Sequence, residues 1–357
     1  MNRLVDYIKK DPLSILLLLL PITFIGNRLG WGSGWIFFLS AVGVIPMAGY
    51  IGKGTEALAS YMGPRLGGLL NATLGNAAEL IITLIAIRAG HLQLVLASIT
   101  GSIIGNLLLV LGAAILFGGL KNGKQQFNKQ QAGHHATQMA MLILALIIPS
   151  IFSHSVGDTG SIRVEALSLG VSAVMILLYA LGLLYSLKNI QGPVTYQVEE
   201  ENHPHWSKTK AFIVLVLATV GVVILSEMLV GAVEHVTENL GLSEFFLGII
   251  LIPIVGNAAE HLIAVQVAIK NKMDLSVEIA ISSSVQIALF VAPLLVFVSL
   301  LMGNPLTLEF NQFELIALIA GVMITILVSI DGESNWLEGV SLIAVYLMLG
   351  LGFFLIP

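Results

Sequence analysis

The sequence Gly-Asn-Ala-Ala-Glu occurs twice in this chain, at residues 75–79 and again at residues 256–260. His261 follows the second copy where the first copy is followed by leucine, and both copies lie within long apolar segments. A carboxylate in hydrocarbon is costly, so an ionisable residue inside a membrane segment indicates a functional site. Glu79 and Glu260 therefore predict an internally duplicated protein with one shared ion site.

The composition is that of a polytopic membrane protein built from helices. Of the 357 residues, 57% are hydrophobic and only 10% are charged, and the mean hydropathy is +0.95. Soluble domains carry about 25% charged residues. The chain has no cysteine, which excludes disulfides, thiolate metal sites and a cysteine nucleophile. Nothing in the sequence indicates nucleic-acid binding, and we expect the lipid bilayer to surround the protein.

Eleven segments approach the length of about 20 mostly apolar residues that a spanning helix needs. They are residues 13–27, 34–52, 68–88, 92–118, 137–155, 164–187, 210–235, 244–269, 276–302, 313–330 and 337–356. The predicted fold class is an all-α polytopic membrane protein with about 11 transmembrane helices.

The distribution of basic residues supports this layout and predicts its orientation. With the N-terminus placed in the cytoplasm, 13 Lys and Arg residues fall in inside segments and 3 in outside segments, which accounts for all 16. An excess of Lys and Arg in cytoplasmic loops is the general rule for membrane proteins. The prediction is a cytoplasmic N-terminus and a C-terminus outside.

The predicted helix count determines how the two motif copies are related. They fall on the third and eighth spans, five spans apart, so they enter the membrane from opposite sides. Inverted repeats with a site between them near the midplane recur in secondary transporters. We predict an extra N-terminal helix at 1–33, a first five-helix repeat at 34–190, a cytoplasmic acidic linker at 191–209 and a second, inverted five-helix repeat at 210–357.

The repeat extends beyond the motif to polar residues on the following spans. At the same offset of 181, Ser102 matches Ser283, and Gln286 stands where the first repeat has Gly105. Hydroxyl and amide groups in membrane helices often join neighbouring helices by hydrogen bonds. Ser102, Ser283 and Gln286 therefore either complete the ion site or serve as such interhelical contacts.

Two further acids form a weaker match. Glu56 and Glu227 follow Thr55 and Ser226 at an offset of 171, which a change in loop length or coincidence explains. They either line acidic routes toward the site or lie near a membrane edge.

The motif offers hard oxygen ligands for a cation. Asn76 and Glu79 are three residues apart and share a helical face, as do Asn257 and Glu260. Carboxylate and amide oxygens are the ligands that Ca²⁺ prefers. The lack of a thiolate or a histidine pair at these positions argues against zinc or copper. Glu79, Glu260, Asn76 and Asn257 are the predicted metal ligands.

The motif glycines are expected to interrupt their helices. Gly75 and Gly256 weaken the third and eighth spans, and Pro253 is expected to add a second break in the eighth. Broken helices are tolerated in a membrane where their free carbonyls are buried or line a cavity. The predicted ligand set therefore includes backbone carbonyls in both repeats.

The histidines carry separate expectations. His261 either packs through a hydrogen bond or belongs to a proton path, since imidazole titrates near physiological pH. His134 and His135 precede the fifth predicted span and are expected in a surface loop.

The paired acids suggest a chemistry. An unpaired carboxylate in a low-dielectric medium favours its protonated form, and a second one nearby strengthens that preference. The arrival of a divalent cation would favour the charged forms and expel the protons. The pair Glu79 and Glu260 can therefore hold one divalent cation or two protons at nearly the same net charge, which is a physical basis for exchange.

These residues resemble a known family. The paired motifs, Gly101-Ser102, the stretch from Ser283 to Gln286 and the segment Asp331-Gly-Glu-Ser-Asn-Trp336 resemble the CAX-type Ca²⁺/H⁺ antiporters of the calcium/cation antiporter superfamily. The resemblance runs from about residue 40 to the C-terminus and suggests a prokaryotic member in the cell membrane. It implies alternating access driven by the proton gradient, assembly as a homo-oligomer, and no cofactor, with Ca²⁺ and H⁺ as the transported substrates.

The resemblance also assigns roles to individual residues. It implies that Glu79 and Glu260 bind the ion and the protons, and that Glu56 and Glu227 line the access routes. The acidic segment that joins the two halves in this family is reduced here to Glu199–Glu201, which leaves calcium regulation there in doubt.

Three other functions fit the sequence less well. A sodium/calcium exchanger would carry more hydroxyl groups around each motif acid, where this chain has Ala77-Ala78 and Ala258-Ala259. A passive cation channel fits the inverted repeat less well than alternating access does. A metal-dependent intramembrane hydrolase would need a His-Glu-x-x-His-like ligand set, which the sequence lacks. The prediction is a secondary active transporter and not an enzyme.

Overall fold

The structure, a computed structural model, describes residues 12–158, 160–188 and 206–356. The acidic run Glu199–Glu201 lies outside these residues, as do most of the predicted linker at 191–209 and the start of the predicted N-terminal segment at 1–33.

The described chain is nearly all helical. Its α-helices are α1 (Leu19–Arg28), α2 (Ser33–Leu74), α3 (Ala77–Ala89), α4 (Leu92–Ile104), α5 (Leu111–Asn122), α6 (Lys129–Val156), α7 (Ile162–Lys188), α8 (Lys208–Gly231), α9 (Val233–Leu240), α10 (Glu244–Phe246), α11 (Ile252–Ile269), α12 (Met273–Gln286), α13 (Ala292–Met302), α14 (Gln312–Ser329) and α15 (Trp336–Leu355). A 3₁₀ turn at Pro12–Leu18 precedes α1.

Nine helical segments of the described chain are long and apolar enough to cross a membrane. Ser14–Arg28 is a shorter apolar helix, and the third predicted span is absent from the nine because its helix is interrupted at the first motif. The helical membrane fold is confirmed, while the count of eleven spans stays a prediction.

The first motif copy lies at a helix break, as predicted. α2 extends well past the predicted end of the second span, turns at Gly63 (φ +78°) and ends at Leu74. Asn76 has non-helical backbone angles (φ −92°, ψ 20°), and α3 begins at Ala77. Gly75, the first residue of the motif, therefore lies at an interruption of the helix in this repeat.

The second motif copy lies within a continuous helix, so the expected break there is wrong. α11 runs through Gly256 without interruption. Pro253 occupies its first turn, where proline removes no internal helical hydrogen bond. The irregularity is displaced upstream into a π-helical segment, Leu247–Leu251.

Two further π-helical segments follow α4 and α12, the helices that carry the matching serines of the two repeats. Gly105–Val110 continues from α4, which carries Ser102, and Ile287–Val291 continues from α12, which carries Ser283 and Gln286. π-Helical turns are rare and often lie at functional sites. Their matching positions support the internal duplication.

A short antiparallel ribbon joins two loops. Gln125 and Gln126 pair with Ser334 and Glu333, and Lys124 forms an ion pair with Glu333. Asn335 caps α15. The ribbon places the start of α6 beside the end of α14.

The expectation that His134 and His135 lie in a loop is wrong. α6 begins at Lys129, eight residues before the predicted span, and includes both histidines. His134 is exposed, whereas His135 is 2% exposed. The sequence there is polar enough to suggest a loop, but its side chains find partners on α12.

Candidate ion-exchange site

The two motif copies meet at the centre of the fold, and each glycine faces the acid of the other copy. A Cβ on Gly256 would lie 3.6 Å from the Cβ of Glu79. A Cβ on Gly75 would lie 3.1 Å from Oε1 of Glu260. The glycines therefore allow α3 and α11 to approach where the carboxylates lie.

Glu79 lies in the first turn of α3 and is 1% exposed. The hydroxyl of Ser102 donates a short hydrogen bond to its Oε1. The amide of Asn257 donates to its Oε2 at 3.3 Å. A buried carboxylate is thus held by one neighbour from its own repeat and one from the other.

Glu260 has the corresponding surroundings but is more open. Ser283 donates to its Oε2 at 2.9 Å, as Ser102 does to Glu79. Glu260 is partly exposed, in contrast to Glu79. The two acids therefore each have a serine partner, but Asn76 donates to Gln286 and not to Glu260 as Asn257 does to Glu79, and the acids differ in access to solvent.

The asparagines link the repeats crosswise. Asn76 donates to Gln286 Oε1 at 2.9 Å, and its Oδ1 lies 3.3 Å from the hydroxyl oxygen of Ser283, whose proton is donated to Glu260. Asn257 donates to the hydroxyl of Ser102 at 3.2 Å. Each asparagine contacts the serine of the other repeat, so the contacts follow a pseudo-twofold relation.

His261 lies beside this cluster and contacts Asn106, a residue that the sequence analysis did not single out. Its Nε2 is 3.1 Å from Oδ1 of Asn106, which is 1% exposed and lies in the π-helical segment Gly105–Val110. Among the described residues, the Nδ2 of Asn106 has no hydrogen-bond partner. An asparagine four positions after Ser102 in an apolar run was the signal available in the sequence.

Glu56 and Glu227 are not part of the cluster. Both side chains are exposed, on α2 and α8 respectively. The hydroxyls of the preceding Thr55 and Ser226 are buried, without a hydrogen-bond partner in the part of the chain that the structure describes. The structure therefore brings together eight predicted site residues and leaves these two acids apart; the eight are Glu79, Glu260, Asn76, Asn257, Ser102, Ser283, Gln286 and, at the edge, His261.

The electrostatics of the cluster are acidic and unbalanced. The described residues that form ion pairs with Asp or Glu do so elsewhere in the fold, and neither Glu79 nor Glu260 has such a partner. Leaving a carboxylate buried without a counter-charge is costly, so the pair needs protons or a cation.

The ligand chemistry is that of oxygen atoms from mixed side chains. Among the described residues, no group of three or more His, Cys, Asp and Glu side chains is placed to hold a metal ion. The cluster instead combines two carboxylates with amide and hydroxyl oxygens, which is the kind of set that Ca²⁺ accepts.

An internally duplicated helical membrane protein, with one polar cluster built from both motif copies, belongs by architecture to the secondary transporters. A family model described as "Sodium/calcium exchanger protein" matches residues 14–188 and 210–355. The chain belongs to this family.

Similar proteins have more specific names. The chain is 44% identical to a Ca(2+)/H(+) antiporter of Aphanothece halophytica, with 96% of each chain covered. It is 45% identical to the Ca(2+)/H(+) antiporter ChaA of Bacillus subtilis (strain 168), with 94% of this chain and 96% of that protein covered. A solved structure of native YfkE is 42% identical, with a TM-score of 0.85, and covers 96% of this chain and 100% of that chain. These relatives are transporters, as predicted, and not enzymes.

Proposed function

We propose that this protein exchanges Ca²⁺ for protons across the membrane, with Glu79 and Glu260 as the groups that bind either substrate. The observation that carries the proposal is their shared hydrogen-bonded cluster, in which two carboxylates from separate motif copies have no basic partner. The names of the similar proteins support the choice of substrates.

The cluster suggests how one site serves both substrates. When Ca²⁺ binds, both carboxylates are charged, and the oxygens of Asn76 and Asn257 supply neutral ligands. When protons bind, the carboxyl groups no longer need the cation and the serine hydroxyls remain as partners. The negative charge of the buried carboxylates is balanced when Ca²⁺ or protons are bound and is unbalanced when the charged site is empty. A change in which face of the membrane the site is open to is therefore coupled to binding of one substrate or the other.

Alternating access is supported by the unequal exposure of the two acids. Glu260 is partly exposed while Glu79 is 1% exposed. Within the apolar span Glu244–Ile269, Glu260 lies nearer Ile269, which the charge distribution places on the cytoplasmic side. We infer that this structure represents the state open toward the cytoplasm.

Protons are favoured over sodium as the counter-ion. The residues before each acid are alanines, so they add no hydroxyl ligands for Na⁺. A sodium/calcium exchanger remains the second candidate, because the family includes such proteins by its description. A passive channel is the third and is disfavoured by the paired, crosswise site.

The remaining assignments rest on pattern and resemblance. The positive-inside distribution supports a cytoplasmic N-terminus and an external C-terminus, and bacterial relatives support the cell membrane of a prokaryote. Assembly as a homo-oligomer and the access role of Glu56 and Glu227 rest on the family resemblance alone.

Calcium flux into proteoliposomes tests the proposal. Uptake driven by an imposed pH gradient and indifferent to sodium supports Ca²⁺/H⁺ exchange. Uptake driven only by a sodium gradient assigns the protein to sodium/calcium exchange, and uptake without any counter-ion gradient that fails to saturate indicates a channel.

A further inference from the structure

A second buried group of ionisable side chains lies between α6 and α12, away from the exchange site. His135 on α6 is 2% exposed and Glu278 on α12 is 8% exposed. The Nε2 of His135 lies 3.1 Å from Oε2 of Glu278. Gln131, one helical turn earlier on α6, donates to the same oxygen at 3.0 Å. This His135–Glu278 anchor joins a helix of the first repeat to a helix of the second.

The anchor is the only contact that His135 makes with a carboxylate among the described residues. On α12, Asp274 is engaged by the backbone N–H of Asn128 at 2.7 Å. Lys129 and His134 on α6 are exposed. The other elements packed on α6 contribute no nearby acid: Ile287–Val291 has no ionisable residue, and the acids of α7 and α14, Glu165 and Glu314, lie in their first turns at the opposite end of α6. The tyrosines of α7 are Tyr179, which stacks on Phe290, and the exposed Tyr185.

Both ring nitrogens of His135 face oxygen atoms. Nε2 faces Oε2 of Glu278, and Nδ1 lies 3.4 Å from Oε1 of Gln138. A neutral imidazole donates from one nitrogen only, whereas the imidazolium donates from both. Loss of one proton therefore leaves a nitrogen lone pair facing an oxygen lone pair. The Gln138 amide relieves this at Nδ1 only if it turns over and presents its N–H group.

The anchor is connected to the exchange site through one helix. Glu278 lies five residues before Ser283 and eight before Gln286 on α12. Ser283 holds Glu260, and Gln286 holds Asn76. A change in how firmly α12 is held against α6 therefore moves two partners of the ion-binding residues.

We propose that His135 and Glu278 are positioning residues for the exchange site, and that protonation of His135 strengthens their contact and holds α12 in the arrangement that binds Ca²⁺. The proposal rests on the proposed function for its effect on transport, but not for the effect of pH on α12 itself. A charge-assisted hydrogen bond is roughly twice as strong as a neutral one, which gives the contact two distinct strengths.

The first test measures the apparent Ca²⁺ KM of ⁴⁵Ca²⁺ exchange in proteoliposomes that have the same pH on both sides. Direct proton competition raises KM in acid, and the anchor opposes this rise. In His135→Gln the ratio of KM at about pH 6 to KM at about pH 8 is expected to grow on the order of tenfold relative to wild type, a typical coupling between separate sites. His134→Gln, the exposed neighbour, keeps the wild-type ratio.

A double-mutant comparison separates the anchor from general damage to the fold. Glu278→Gln keeps an oxygen for Gln131 and is expected to reproduce the effect of His135→Gln, and the double variant is expected to be no worse than either single one. Additive effects, or a wild-type KM ratio in His135→Gln, would overturn the proposal.

A second measurement needs neither transport nor a variant that folds poorly. Hydrogen–deuterium exchange of the wild-type protein, corrected for the intrinsic effect of pH, is expected to show weaker protection of residues 273–283 at about pH 8 than at about pH 6. Equal protection at both values would contradict the anchor even if Ca²⁺/H⁺ exchange is confirmed. A failed flux assay with the expected exchange pattern would instead reject the proposed function and leave the anchor standing.

Discussion

The amide of Asn257 lies 3.2 Å from the hydroxyl of Ser102, on a helix of the other repeat. The same hydroxyl donates to Glu79, so one serine connects the acid of the first motif to the asparagine of the second. Ser283 lies in the corresponding place, where its hydroxyl donates to Glu260 and lies 3.3 Å from Oδ1 of Asn76. The two motif copies therefore form one hydrogen-bonded cluster and not two.

Removing either serine hydroxyl should weaken Ca²⁺ binding. Ser102→Ala and Ser283→Ala each delete a hydrogen bond to a carboxylate, and bonds to charged groups contribute about 1.5–3 kcal/mol, which is tenfold or more in affinity. The matched control is Ser98→Ala, because Ser98 lies on α4 with a buried hydroxyl that has no hydrogen-bond partner within residues 12–158, 160–188 and 206–356. The apparent KM for Ca²⁺ measures the effect, and an equal response in all three variants would contradict the site.

The motif glycines should differ in their tolerance of a methyl group. A Cβ on Gly75 would lie 2.9 Å from the carbonyl oxygen of Asn71 and 3.1 Å from Glu260 Oε1. On Gly256 the nearest atom is 3.6 Å away, an ordinary contact. Gly75→Ala is therefore expected to lower the transport rate much more than Gly256→Ala at similar amounts of folded protein. Equal loss in both would argue against the asymmetry of the two copies.

Access to the two motif copies should differ between the membrane faces. The chain has no cysteine, so single cysteines can be introduced at the equivalent positions Ala78, which is 3% exposed, and Ala259, which is partly exposed. A membrane-impermeant thiol reagent is expected to label Ala259→Cys faster, and from the face on which α11 ends. Ala78→Cys is expected to react more slowly, because this position is buried. Equal labelling rates at the two positions would contradict the difference in exposure between the two copies.

The ion pair between Lys124 and Glu333 should not change its protonation state in the pH range of transport. The hydrogen bond from Lys124 lowers the pKa of Glu333 below its usual 4.5, and the same bond raises the pKa of Lys124 above 10.5. The contribution of Glu333 to stability is present above its unfolded pKa and is lost as the pH falls through the lowered value. The contribution of Lys124 is lost only as the pH rises above 10.5.

Glu333→Gln should accordingly leave the pH dependence of transport between about pH 5.5 and 8 unchanged. A small drop in Tm at neutral pH is expected to disappear in acid, where the wild-type carboxylate is also neutral. A shifted transport profile would mean that the ribbon participates in proton coupling.

The sequence predicted the convergence of Glu79, Glu260 and their asparagines, because two identical motifs in apolar segments have few arrangements that avoid isolated buried charge. It did not predict that only the first copy interrupts its helix. The same five residues occur in both copies. In the second, however, α11 begins at Ile252 directly after the π-helical segment Leu247–Leu251, with Pro253 in its first turn, so the irregularity lies before the motif instead of within it.

Long-range contacts explain the other differences. His135 was expected in a loop because the stretch from Lys129 is polar, yet Gln131 and His135 meet Glu278 from a distant part of the chain. Asn106 was missed because a single amide in an apolar run carries no repeat partner, and its role became apparent only through His261. Pairing between distant residues is the information that a single sequence does not contain.

The most direct test of the shared site is the release of protons when Ca²⁺ binds to the purified protein. In weakly buffered detergent solution with a pH dye, Ca²⁺ is expected to expel up to about two protons per chain, as metal binding to protonated ligands requires. Sodium is expected to expel none, and Glu79→Gln and Glu260→Gln each to reduce the release, with Glu309→Gln, in the loop between α13 and α14, as control. Ca²⁺ binding without proton release, or release that persists in both variants, would contradict exchange through the paired acids.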